Sequence, residues 1–205
     1  MDTVTTTFRT EYRIKSSNFI GYLVPCSHIE ELNSVLNSIK DEHPTATHHC
    51  YAYRINPEQA LEFSTDDGEP GGTAGTPILN LLRSRDLINI VCVVVRYYGG
   101  TKLGKSGLIS AYSHTANLTA EASQMKEIIP VASYSTVYGY EHQSVINSLK
   151  HMFDFMEIES IYLEKVSLTF AVPQKQSHAL EKQIAGSVHL FDKFEKLEAS
   201  YRIME

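Results

Sequence analysis

Cysteine is scarce in this chain: 205 residues hold three, Cys26, Cys50 and Cys92, far apart and odd in number. That usage excludes a disulfide framework and a paired CxxC metal half-site, and it suits a reducing compartment. Positive charge is short as well, with 18 lysines and arginines against 24 acids and a formal net charge of -6. Affinity for polyphosphate comes largely from counterions released by basic side chains, so nonspecific binding along DNA is not expected and any nucleic-acid contact must be local. No segment approaches the ~20 apolar residues that cross a bilayer, and the opening MDTVTTTFRTEYR is too polar for a secretory signal. A cytoplasmic protein without a membrane partner is the expectation. Internal repeats and low-complexity tracts are also lacking.

What is present reads as a folding chain. An apolar share of 42% with 20% charged residues is ordinary for a globular protein, and the length suits two domains. Residues 4–24 are β-rich and broken at Lys15-Ser16-Ser17-Asn18, which predicts a hairpin. Ser27 with Glu30 has capping-box spacing, and Ile29, Leu32, Val35, Leu36 and Ile39 continue at helical period. Residues 48–55 read as a strand, followed by a short one near 61–65. Thr76-Pro77 predicts the start of a helix running to about Arg85. The wholly apolar run 90–95 predicts a strand buried on both faces. Leu108, Ala111, Tyr112, Thr115, Leu118 and Ala122 mark one face of a long helix ending near Met125. Beyond it the pattern is βαββαβ, with alternation at Val166, Leu168, Phe170, Val172 and at Leu197, Ala199, Tyr201, Ile203, which predicts a ferredoxin-like sandwich.

Two glycine-rich loops carry the chemical signal. The first, DDGEPGGTAGTP at 66–77, sets Asp66, Asp67 and Glu69 among Gly68, Gly71, Gly72 and Gly75 before a helix start. Glycines permit close backbone approach and helix N–H groups hold anions, so the loop suits a phosphate cradle. It equally suits a self-bonded turn in which Asp66, Asp67 and Thr73 cap backbone donors. The second loop, RYYGGTKLGKSG at 96–107, is basic, with Arg96, Lys102 and Lys105 facing phosphate and Tyr97 or Tyr98 as a stacking surface, unless these tyrosines are packing residues. Residues 99–106 also satisfy GxxxxGK[ST], in which Lys105 would reach phosphates and Ser106 a magnesium ion. No later apolar strand ends in a metal-holding aspartate, so the kinase-like parts are incomplete. His48, His49 and Cys50 invite a metal or thiol reading, but alternation lets only His48 share a face with Cys50. No metal or other cofactor is expected; His49 remains a candidate polar site residue.

The segments HHCYAYRI, DDGEPGGTAGTPIL and VVVRYYGGTKLGKSGLISAY, in this order, resemble the YigZ/IMPACT family. The resemblance implies an α+β chain: residues 1–126 as a ribosomal-protein domain-2-like fold and 127–205 as a ferredoxin-like domain similar to elongation factor G domain V. It maps the family's loop residues onto Asp67, Gly68, Glu69, Pro70, Gly72, Thr73, Ala74 and Gly75, and onto Arg96, Tyr97, Gly99, Gly100, Lys102, Leu103 and Gly104. Family members usually carry a small residue at the position of Lys105 and glycine at that of Ser106, which counts against a true P-loop. Animal and fungal relatives implicated in regulating translation initiation also carry an N-terminal RWD domain that has no counterpart here, so their particular circuit is not expected. The implied function is binding of RNA, the ribosome or a protein partner in translation, rather than catalysis. A nucleotide- or phosphate-binding enzyme is the alternative.

Overall fold

The computed structural model describes residues 1–204 and divides by internal packing into two compact units, Met1–Glu127 and Ile128–Met204. In the first, a two-residue strand β1 (Asp2–Thr3) precedes the hairpin of β2 (Phe8–Ile14) and β3 (Ser17–Pro25). Lys15 and Ser16 both adopt positive φ, 45° and 64°, the backbone that a two-residue hairpin turn requires. Then follow α1 (Ile29–Glu42), β4 (His48–Ile55), β5 (Leu61–Thr65), α2 (Gly75–Ser84), β6 (Ile90–Tyr97) and α3 (Gly104–Ala122). The five long strands form one antiparallel sheet in the order β2-β3-β6-β4-β5.

The apolar run of β6 lies at the centre of that sheet and is covered on both sides, as its composition predicts. Cys92 and Val94 pack with Phe19, Leu23, Cys50 and Ala52 under α2 and α3. Val91, Val93 and Val95 pack with Ile20, Tyr22 and Tyr53 under Leu32, Leu36 and Ile39 of α1. Each fully buried valine, leucine, isoleucine or phenylalanine among these contributes about 1.5–3 kcal/mol, so this strand is the anchor from which the following loop is presented.

Two helix starts differ from expectation. Helix α1 is preceded by His28 rather than Ser27, and it is Glu31, not Glu30, whose carboxylate accepts from the Ser27 and His28 N–H groups at 2.9 and 3.4 Å. Helix α2 begins at Gly75, ahead of the predicted Thr76 cap, because its first donors are satisfied by a distant carboxylate described below.

The second unit contains most of β7 (Lys126–Tyr138), then α4 (Gln143–Met152), β8 (Met156–Tyr162), β9 (Val166–Pro173), α5 (Ser177–Ala185), β10 (Phe191–Lys196) and β11 (Ser200–Ile203). Strand β7 pairs antiparallel with β9 on one side and with β10 and β11 on the other, and β9 pairs with β8. This is the βαββαβ arrangement with its last strand split in two. Leu197 and Ala199, expected inside that strand, fall between the halves. Tyr134 stacks between Phe170 and Phe194 at 5.4 and 5.5 Å, which pins β10 to the core.

Candidate functional site

The first glycine loop closes around Asp66. One carboxylate oxygen accepts from the N–H of Gly72 at 2.8 Å; the other accepts from Ala74 and Gly75, each at 2.9 Å. Burial works against this charge, but the N–H donors of Gly72, Ala74 and Gly75 outweigh it and hold the carboxyl below its usual range. These are the donors a phosphate cradle on α2 would use, so the self-bonded alternative describes this loop. Gly75 is needed for close approach, since a Cβ there would lie 2.8 Å from the Thr65 backbone. Thr73 Oγ1 donates to the Pro70 carbonyl at 2.7 Å. Asp67 turns away to β4, accepting from the His49 N–H at 2.6 Å, while its carbonyl lies 2.7 Å from His48 Nδ1 under Gly68.

Glu69 leaves the loop in the other direction, into the protein. Its side chain is 3% exposed and accepts from Arg96 at 2.6 Å and from the Tyr112 hydroxyl at 2.7 Å. Arg96 extends the buried face of β6 that carries Cys92 and Val94. Its guanidinium lies between the rings of Phe19 and Tyr98, 5.3 Å from each centroid, and also donates to Ser17 Oγ at 3.4 Å. Its Nε is buried with no hydrogen-bond partner among the described residues. A buried charge pair of this kind persists only when both members are held by further hydrogen bonds, and here Tyr112 and Ser17 provide them. Cys50 donates to the Asp66 carbonyl and to Tyr112; burial pushes its thiol up to about 12, so it is no nucleophile at neutral pH.

Above this pair the two loops share a cleft of about 360 Å³, lined by Glu69 and Pro70 from the first and by Arg96, Tyr98, Lys102, Gly104 and Lys105 from the second. Lys102 and Lys105 are exposed and form no salt bridge among the described residues. Gly100 and Gly104 take positive φ, 85° and 75°, while Gly99 passes so close to the Ser16 carbonyl that no Cβ fits. The first turn of α3 contains no acid, and Leu103 before it offers no side-chain cap. From residue 87 to 120 the chain has no Asp or Glu at all. An acidic protein thus presents a local basic surface at a helix N-terminus, where the backbone dipole also favours an anion.

Comparison with known proteins agrees with these motifs. The model of the Impact N-terminal domain matches residues 15–120. The chain is 37% identical to IMPACT family member YigZ of Escherichia coli, over 86% of this chain and 90% of that one. Identity to IMPACT family member YvyE of Bacillus subtilis is 34%, over 84% and 79%. The chain belongs to the IMPACT family. A crystal structure of a protein described as hypothetical has 30% identity, covers 96% of this chain and 95% of its own, and superposes with a TM-score of 0.64.

Within this IMPACT-family chain, the sequence candidates separate into three places. Glu69, Arg96, Lys102 and Lys105 line one cleft, with Gly99 and Gly100 shaping its loop. Asp67, Gly68, Gly72, Thr73 and Gly75 lie in the self-bonded loop. His49 and Tyr97 belong to the opposite face of the sheet: burial pushes the His49 imidazole down, and the Tyr97 hydroxyl lies 3.0 Å from His43 Nδ1. Of the two tyrosines it is therefore Tyr98, 44% exposed, that borders the cleft. Glu69's buried pairing and the part of Tyr112 were not anticipated; a charged Arg96 immediately after the wholly apolar run 90–95 was the available signal, because a charge that continues a buried strand needs a partner. The GxxxxGK[ST] match sits between strand and helix, but β6 is antiparallel to both its neighbours, unlike the parallel βαβ units that carry nucleotide loops.

Proposed function

We propose that this chain is a non-catalytic binding module acting in translation, which contacts RNA through the cleft between its two glycine loops. One observation carries the reading: Lys102 and Lys105, free of salt bridges among the described residues, stand with the uncapped start of α3 beside the buried Arg96–Glu69 pair, on the only acid-free stretch of this length in a chain of net charge -6. Phosphate contacts of this type give salt-dependent affinity without turnover. Membership of a family whose animal and fungal members are implicated in regulating translation initiation supports the setting.

Fluorescence anisotropy of labelled RNA, titrated at low and moderate salt, tests it. Affinity should fall with salt at a slope of about 0.7–0.9 per phosphate neutralised, and joint charge reversal, Lys102→Glu with Lys105→Glu, should remove most of it. Unchanged affinity in that variant would reject the cleft as the contact. Magnesium-dependent binding of ATP or GTP that disappears in Lys105→Ala would instead establish the nucleotide-enzyme alternative.

A further inference from the structure

The cleft combines two recognition surfaces of different chemistry. Lys102, Lys105 and the first N–H groups of the 19-residue helix α3 suit a phosphate, while the buried Arg96 on the cleft wall has its charge met by Glu69 and keeps an Nε with no hydrogen-bond partner among the described residues. Tyr98 is the opposite case, a large aromatic left 44% exposed. One face of its ring is taken by the Arg96 guanidinium, which is itself backed by Phe19, so the ring is held as part of a Phe19–Arg96–Tyr98 stack. A ring fixed in this way loses little freedom when a flat ligand covers its other side, which is the property of a stacking platform. The volume, about 360 Å³, matches a ligand of one nucleotide and lies at the lower end of small-molecule sites.

From these features we infer that the cleft takes one unpaired nucleotide of single-stranded RNA, with its phosphate at Lys102, Lys105 and the start of α3 and its base on Tyr98. This rests on the RNA-binding reading above and sharpens it. In a duplex every base is already stacked and its faces are closed to a side chain, so a tyrosine platform is of use only to a strand whose bases are unstacked. The lysines alone would not distinguish the two forms, since phosphates are present in both. Tyr98 is thus assigned the discrimination and the lysines the affinity.

The test is competition and direct titration of the full chain with a labelled oligouridine, a hairpin duplex of equal phosphate count, and free uridine monophosphate. Tyr98→Ala should weaken oligouridine binding by about tenfold or more, the loss of one stacked base, while Tyr98→Phe, which keeps the ring, restores it. Duplex binding should be weaker and indifferent to Tyr98. Lys102→Ala should weaken both forms and flatten the salt dependence by about one phosphate. Equal affinity for duplex and single strand, or an unaffected Tyr98→Ala protein whose binding still falls in Lys102→Ala, overturns the stacking inference and leaves the basic cleft as an RNA contact. Uridine monophosphate competing as well as the oligomer replaces a strand site by a mononucleotide site. Absence of RNA binding by a protein with native melting behaviour removes both readings and points to an acidic protein partner.

Discussion

Glu69→Gln tests the arrangement on which the cleft is built. The carboxylate is 3% exposed, its partner Arg96 is 6% exposed, and no solvent screens the 2.6 Å contact. Amide replacement keeps the shape and one acceptor oxygen, but leaves the guanidinium buried without a counter-charge and makes it compete with the Tyr112 hydroxyl for that oxygen. Removing one member of a buried pair costs about 3–5 kcal/mol, and the retained acceptor places this change near about 3 kcal/mol. Because each unit has its own core, a whole-chain melting curve would blur the effect. Native-state hydrogen exchange resolves it: amides of Ile90–Tyr97 should exchange about a hundredfold faster in the variant, at about 1.4 kcal/mol per tenfold. Adding Arg96→Met should recover part of the loss, because the uncompensated charge goes with it. A change of less than about threefold in β6 exchange would mean that the pair does not hold the cleft floor, and the reasoning from its burial would fail.

Asp66→Asn should cost about 2 kcal/mol near neutral pH, since an amide oxygen cannot serve the three N–H donors that the carboxylate holds. The Asp66 carboxyl is held below its unfolded value of about 3.9, so its contribution is present above that value and fades as pH falls through the folded one; urea midpoints of the two proteins should converge in acid, and a constant gap would contradict the account. Iodoacetamide at pH 8 should leave the thiols unmodified until urea unfolds the chain, because burial pushes Cys26 up to about 11 and Cys50 and Cys92 up to about 12; fast labelling of Cys50 in the native protein would show the Tyr112–Glu69 cluster to be open.

The parts of this molecule that were legible in its sequence are those set by local pattern. A wholly apolar, almost entirely β-branched run reads as a strand covered on both faces, and β6 is one. Helix starts were readable to within two or three residues, and because Ser27 and His28 precede two adjacent glutamates, spacing alone did not choose between Glu30 and Glu31. Strand β10 escaped because Asp192, Lys193, Glu195 and Lys196 mask Phe191 and Phe194, the two residues that bury it. At the site, alternation correctly set His48 and Cys50 on one face, yet it could not say which of Tyr97 and Tyr98 borders the loops. That needed the register of β6 against β3 and β4, which places Arg96 opposite Phe19 and His48. The Glu69–Arg96 contact joins residues far apart in the chain and exists only once both loops are folded onto the same end of the sheet.

The most direct measurement of the central claim is amide chemical-shift mapping by NMR, with a short single-stranded RNA titrated into isotope-labelled protein at low salt. The account predicts that the largest shifts fall on residues 98–106 together with Glu69, and that they vanish as salt rises. Shifts concentrated instead on the second unit, or on the groove between α2 and α3 lined by Asn80, Ser84, Ser113 and Asn117, would place the RNA contact elsewhere and contradict it.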